Sequence, residues 1–355
     1  PEVMYLTGSE TPLKTSFTSP YFLWYNCPVQ QTQKQTYPGI IDTIGAGFGV
    51  VTRRLALLLI PILIDVALVI APPVSFAPLM GQAVEGYKAL LQQAASNPAS
   101  GVSADQLTQM DDQVKELQSV SKDMNLLAVA AWRLPSVARL MGPVGDAPAV
   151  QIGDWGTVVL AGLGLGLGGL ALAALYLGAL GQYVRYGTFS PPRYASGLSR
   201  LAPRLVGYTL VLLGAAVALA VPALGVTALL VRFVPPLGAF VVTLAGAVVM
   251  WAAVYLYFVD GAIFVAESGV FQAIRQSFQT VRRHFWSALG LILVSVIIGI
   301  GTSIVWSRLV PAAFPWVLLA SVGNAYIATG LIAASFIYFR DRSVPAEPAS
   351  QGGRI

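Results

Sequence analysis

Gly269-Val-Phe-Gln-Ala-Ile-Arg-Gln-Ser-Phe-Gln-Thr-Val-Arg-Arg283 precedes one long apolar run, and Gly39-Ile-Ile-Asp-Thr-Ile-Gly-Ala-Gly-Phe-Gly-Val-Val-Thr-Arg53 precedes another. Gly39, Ile44, Phe48, Val51 and Arg53 align with Gly269, Ile274, Phe278, Val281 and Arg283 without a gap. Apolar residues at Phe271, Ile274, Phe278, Val281 and Phe285, spaced three and four apart with Arg275, Gln279, Arg282 and Arg283 off that stripe, predict an amphipathic helix. Such a helix belongs at a membrane interface, with Phe48 and Phe278 entering the acyl boundary and Arg53, Arg54, Arg282, Arg283 and Trp286 at the headgroups. The repeat decides an architecture. Nothing comparable in the sequence decides a chemistry.

The 355-residue chain is 56% hydrophobic and 10% charged, with a mean hydropathy of +0.70, well outside the composition of soluble globular proteins. Crossing a hydrocarbon core of about 30 Å takes about 20 apolar residues. Six segments qualify, at about 55–74, 156–181, 205–231, 237–259, 287–306 and 316–339. The reading is an all-α polytopic bundle of six transmembrane helices arranged as three hairpins, with residues 39–342 as the membrane domain. Arg232-Phe-Val-Pro235 and Arg308-Leu-Val-Pro311 link the last two hairpins, which makes them parallel repeats, and Trp286 and Trp306 read as aromatic anchors at the two interfaces.

The net charge of +5 comes from arginines beside the spans rather than from a continuous soluble face, which excludes nucleic acid as a partner. With six spans, Arg53, Arg54, Arg185, Arg193, Arg200, Arg204, Arg275, Arg282, Arg283, Arg340 and Arg342 share one side. The opposite side carries a first loop with eight acidic residues against five basic ones. By the positive-inside rule both termini are cytoplasmic, in a bacterial inner membrane. No charged-then-apolar leader opens the chain, so the first span is expected to direct insertion itself.

Within the spans, Pro61 predicts a bend, and Asp65 is a carboxylate at mid-span. Placing it there costs about 2.5–3.5 kcal/mol on the insertion scale, so it should face the bundle interior and be hydrogen-bonded. A proton or cation site is the sharper reading. A structural hydrogen bond is favoured, because no second carboxylate, lysine or histidine lies well inside any other predicted span. In the second span Gly162 with Gly166, and Gly164 with Gly168, form small-xxx-small pairs suited to close helix approach. The same glycine run lacks the Lys-Ser/Thr of a phosphate loop.

Residues 1–38 read as a polar and aromatic tail, and residues 343–355 as a disordered one. Residues 76–155 form an extracytoplasmic insertion. Ser103-Ala-Asp-Gln106 is a capping-box pattern opening a helix that should pair with one over Val84 to Ala95 as an α-hairpin, after which Leu126 to Met141 lies along the outer interface.

One cysteine, Cys27, and one histidine, His284, leave no multi-ligand metal or cluster site. No metal or organic cofactor is expected, while bound lipids are. Axial ligation of a haem or pigment by His284 is the weaker alternative to a histidine belonging to the basic interfacial face. Asp260, Glu267 and Arg275 stand near one another in sequence and read as a solvated ion-pair cluster.

Phe264-Val-Ala-Glu267-Ser-Gly269-Val-Phe-Gln-Ala273-Ile-Arg-Gln-Ser277, followed by Arg283-His-Phe-Trp286, resembles the juxtamembrane signature of bacterial six-helix proteins related to the membrane domain of glycerophosphodiester phosphodiesterases. Gly39 to Asp65 is similar to the opening of stand-alone members. The resemblance implies a membrane module whose phosphodiesterase chemistry belongs to a separate soluble barrel, for which this chain has no room. The sequence therefore reads as a non-catalytic scaffold or accessory subunit of a respiratory, photosynthetic or transport complex, partnered by lipids and other integral membrane chains. The rival is a transporter for a lipid or hydrophobic small molecule, suggested by the repeats, Asp65 and the proline-bearing first span.

Overall fold

The computed structural model describes residues 37–95, 115, 125–137, 149–309 and 314–343. The second helix of the proposed α-hairpin and both tails fall largely or wholly outside the described residues. The two repeated segments become helices of equal length, Ile40–Arg53 (α1) and Val270–Arg283. Each starts at a glycine N-cap in extended backbone, φ −63° and ψ 167° at Gly39, φ −67° and ψ 163° at Gly269. Each ends at a residue of similar backbone, Arg54 (φ −140°, ψ 61°) and His284 (φ −126°, ψ 40°). The buried positions also correspond, Thr43, Gly47 and Val51 against Ala273, Ser277 and Val281. At the same offset, Ile41 (84% exposed) and Phe271 (77%) point outward. Both helices thus turn a ridge of small side chains inward.

After α1 a four-residue 3₁₀ turn, Leu55–Leu58, leads into the twelve-residue α2, Leu59–Ile70. Together they form one shorter apolar helical stretch, Leu55–Ile70, which stops before the end of the apolar segment expected over 55–74. Pro61 falls in the first turn of α2, where its missing N–H has no intrahelical acceptor to lose. Two short strands, β1 (Val74–Ser75) and β2 (Val150–Gln151), then pair in parallel, Val74 with Val150 and Ser75 with Gln151. This pairing brings the two ends of the insertion together. Between them lie α3, Ala77–Ala95, and a 3₁₀ segment, Leu126–Ala131.

Among the described residues five helical stretches are long and apolar enough to cross a membrane: Trp155–Tyr186, Pro191–Leu230, Leu237–Phe264, Phe285–Trp306 and Pro315–Ser343. The chain is an all-α polytopic membrane protein. We name the corresponding elements α4 (Trp155–Tyr186), α5 (Pro191–Phe233), α6 (Pro235–Leu256), α7 (Val259–Phe264), α8 (Val270–Arg283), α9 (Phe285–Leu309) and α10 (Phe314–Ser343). Asp154 caps α4 by accepting from the Thr157 N–H at 2.7 Å, and hydrogen bonds from Thr157 hold its carboxyl below the usual range. At the other end Gly187, with φ 71°, supplies the left-handed residue that stops the helix. The break between α6 and α7 is stitched by Ser277, whose hydroxyl donates to the Tyr255 carbonyl at 2.6 Å and accepts the Phe258 N–H at 3.2 Å.

The core lies where the second half of α4, α7, α8 and the second half of α10 meet, around Tyr176, Leu180, Phe258, Ile263, Phe336 and Phe339. Helix α1 docks on α10 through a reciprocal notch. A Cβ at Gly47 would stand 2.6 Å from the Ala334 amide nitrogen, and one at Gly330 would stand 2.5 Å from the Phe48 ring. Phe48 therefore packs on α10, with its centroid 5.5 Å from Tyr326, rather than entering the acyl boundary as its sequence position suggests. Trp306 is corrected in the same way: it turns in against α10, where a Cβ at Gly323 would meet its ring at 2.5 Å. Trp286 is 81% exposed.

Candidate functional site: the 125–137 segment and its carboxylates

Residues 125–137 enter the helix bundle. Asn125 starts the descent, its side-chain oxygen accepting from the Val74 N–H at 3.0 Å and the Leu127 N–H at 3.1 Å. The 3₁₀ turns then run along α4. Leu126 lies 4.0 Å from a Cβ built at Gly162, Val129 lies 3.9 Å from one at Gly166, and the backbone of Ala130 occupies the space a Cβ at Gly169 would need. Gly169 is the fifteenth residue of α4, so Ala130 sits about 21 Å along that helix from Trp155, at hydrocarbon depth. Non-helical backbone at such depth requires cover by protein, and Ala131, Leu134, Ser136 and Val137 are buried. The expectation that this segment lies along the outer interface is thereby overturned.

Two carboxylates meet the end of the segment. Asp65 of α2, fully buried, accepts from the Ser136 hydroxyl at 2.5 Å and from the Val137 N–H at 3.2 Å. Asp260 of α7 receives the Arg133 guanidinium at 2.5 Å, with 29% and 17% of the two side chains exposed. Arg133 also lies over the rings of Tyr208 (5.5 Å) and Trp132 (5.9 Å). A loop backbone and an arginine thus supply the partners that a buried carboxylate and a half-buried one require.

Sequence reading identified Asp65 and missed Arg133 and Asp260. Asp260 was assigned to the solvated end of its span, in a cluster with Glu267 and Arg275. The structure instead divides that cluster: Asp260 pairs with Arg133, and Glu267 with Arg185 at 2.7 Å. One signal was available. Arg133 is an isolated charge in the stretch Leu126–Pro135, and Asp260 is one in the stretch Met250–Ala266; two opposite charges stranded in apolar sequence are each other's natural partners.

The four predicted packing glycines separate into two faces. Gly162 and Gly166 face the 125–137 segment, whereas Gly164 and Gly168 have nothing within 4 Å of a built Cβ among the described residues. The tightest approach is at Gly169, outside both pairs. Among the interfacial residues, Arg53, Arg282 and Arg283 are exposed, Arg54 lies over Tyr183 at 5.4 Å, and Phe278 stacks on Tyr255 at 4.7 Å. His284 ends α8, its carbonyl accepting from the Tyr338 hydroxyl at 3.4 Å and the Ala288 N–H at 2.8 Å. Burial first, then the Arg342 and Arg283 guanidiniums, hold its imidazole below the usual histidine range. Among the described residues no three His, Cys, Asp or Glu side chains gather as metal ligands. No protein-family model, curated protein or solved structure matches the chain.

Proposed function

We propose that this protein is a non-catalytic integral subunit that packs against another helical membrane chain through its α5–α6 hairpin. One observation carries the reading. Between Leu210 and Met250 the two helices expose Leu213, Val217, Val221, Leu224, Leu237, Phe240, Leu244 and Val248, so this arm is open along its length while the opposite ends of the same helices join the core. Helices in a bilayer gain nothing from apolarity alone, and stable placement comes from packing against other helices. The open face of α4 at Gly164 and Gly168 adds a second surface shaped for close helix approach. Taking Leu55–Ile70 as a sixth crossing gives three hairpins, and the arginine distribution then puts both termini in the cytoplasm of a bacterial inner membrane. The likeness to stand-alone relatives of the phosphodiesterase membrane domain fits such a module.

Photo-crosslinking in intact cells tests this. A crosslinker at Leu213 or Leu244 is expected to yield one discrete protein adduct, and lipid adducts alone at both positions would overturn the proposal.

A second reading has its own observation. The Arg133–Asp260 pair is an intramembrane charge pair of the kind found along transport pathways, and it supports a transporter for a lipid or hydrophobic small molecule. Movement of a labelled phospholipid across proteoliposomes, abolished in Asp260→Asn with unchanged expression, would favour that reading. No movement by the wild-type protein would end it for phospholipids.

A further inference from the structure

The turn at Gly187 sends α5 back along α4, and the two helices leave between them a cavity of about 240 Å³, several times the ~30 Å³ share of a water molecule in the liquid. Arg185, Arg193, Arg200 and Arg204 line it, and among the described residues Glu267 is the one acidic side chain in its wall. Glu267 stands at φ 52° in the loop before α8. It accepts from Arg185 through its carboxylate at 2.7 Å and from Arg204 through its backbone oxygen. Three positive charges remain in excess. Arg193 lies over the Tyr186 ring at 5.5 Å, and Arg193 and Arg200 are both exposed.

A second feature is independent of these charges. Gln182, buried in the cavity wall, donates its amide N–H to the Ser190 carbonyl at 3.1 Å. That bond fixes the orientation of the amide, and its Oε1, shielded from solvent, accepts no hydrogen bond among the described residues. A buried acceptor is costly until a donor reaches it.

We infer that this cavity binds the phosphate of an anionic phospholipid, with a hydroxyl of the headgroup donating to Gln182 Oε1. Guanidinium groups match phosphate geometry with paired N–H donors, while phosphate itself offers nothing to an amide oxygen, so the ligand must carry a donor beside the phosphate. An ammonium would meet the excess positive charge, which leaves a hydroxyl. Phosphatidylglycerol has this chemistry, and a soluble glycerol phosphate shares it. Location favours the lipid: the cavity opens where the apolar lengths of α4 and α5 end, and the neighbouring Tyr186 and Phe189 are exposed as aromatic side chains are at the headgroup level. The assignment does not depend on the α5–α6 arm.

Native mass spectrometry of the full chain in detergent, titrated with phosphatidylglycerol, phosphatidylcholine or glycerol 3-phosphate, tests it. Phosphatidylglycerol should be retained at about tenfold lower concentration than phosphatidylcholine, a difference that removing two charge-assisted contacts is sufficient to erase. R193Q/R200Q, which leaves the bonds to Glu267 in place, should abolish that preference while keeping the melting temperature measured without added lipid. Should that variant fail to fold, Gln182→Leu serves instead. It should weaken retention of phosphatidylglycerol about fivefold and leave that of phosphatidylmethanol, an anionic phosphodiester whose headgroup has no hydroxyl, unchanged. Equal retention of phosphatidylglycerol by the wild type and both variants would overturn the site. Displacement of the lipid by glycerol 3-phosphate at comparable concentration would overturn its assignment to a lipid in favour of a soluble phosphate ester.

Discussion

The second half of α4 and the α5–α6 arm are comparably apolar, yet one is locked in a core and the other stands open. What separates them is the polar side chains. From Leu210 to Leu230 and from Leu237 to Met250 the arm offers two threonines and no ionisable group, and Thr243 spends its hydroxyl on its own helix, on the Ala239 carbonyl at 2.9 Å. The locked half has Tyr176 donating to Thr329 at 2.8 Å, Tyr194 to the Leu175 carbonyl at 2.8 Å and Arg340 to the Val184 carbonyl at 2.6 Å. It also has Gly181, where a Cβ would stand 2.7 Å from the Phe264 carbonyl oxygen. Apolar sequence puts a helix in the membrane, while interhelical hydrogen bonds and close backbone approaches decide what it touches there.

The largest expected effect lies on the locked side, in the core that the second half of α4 shares with α7, α8 and α10. Arg133→Met or Asp260→Leu alone strands one charge inside the bundle and should cost about 3–5 kcal/mol. The double variant, which removes both charges, should recover most of that loss. Thermal unfolding of the four proteins in one detergent measures the coupling, and purely additive losses would show that the pair is not what holds the 125–137 segment.

Next in size is Asp65. Asp65→Leu leaves the Ser136 hydroxyl and the Val137 N–H without their acceptor, at about 1–3 kcal/mol for each buried group. Asp65→Asn retains one acceptor and the shape, and should be tolerated far better. Proteolysis within residues 125–137 should accelerate in the leucine variant only.

The glycines sharpen the contrast further. Leucine at Gly169 or Gly47 drives a side chain into the backbone of Ala130 or of α10 and should destabilise by about 1–3 kcal/mol or more. Leucine at Gly164 or Gly168 enters open space and should leave the isolated chain within about 0.5 kcal/mol of the wild type. Any loss at these last two positions should appear as altered co-purification of partner chains from membranes. Equal destabilisation at Gly169, Gly164 and Gly168 would erase the distinction between the two faces of α4.

The parts legible in sequence are those with a local signature. The glycine caps at Gly39 and Gly269 and the three-four rhythm that follows each are enough to draw α1 and α8, because a capped amphipathic helix is specified within fifteen residues. The inward faces of those helices were legible too but went unread: Thr43 with Gly47, and Ala273 with Ser277, are small-xxx-small pairs like those in α4. The 125–137 segment had no such signature. Its aperiodic apolar residues suit an interface as well as a core, and only partners distant in sequence, Asp65 and Asp260, distinguish the two. The length of the first apolar helix was obscured for a related reason, since hydropathy continues through Ile70-Ala-Pro-Pro-Val while the backbone turns into β1, a choice made by pairing with Val150.

The smallest predicted effect concerns pH, and it too belongs to the locked half, since the apolar lengths of the arm have nothing to titrate. His284 in the folded chain holds its proton less tightly than in the unfolded one, because burial, Arg342 and Arg283 all oppose the imidazolium. The unfolded state therefore binds the extra proton as acid is added. Stability from this group is fully present above the unfolded histidine value near 6.5 and declines as pH falls toward the lower folded value. The side chain is partly exposed, so solvent screens much of the effect. His284→Gln should remove this component. Melting temperatures of the wild type and the variant should run parallel from pH 8 to 7 and converge or cross below 6.5, as only the wild type loses stability to this proton; a wild type that gained on the variant in acid would reverse the assigned direction of the shift.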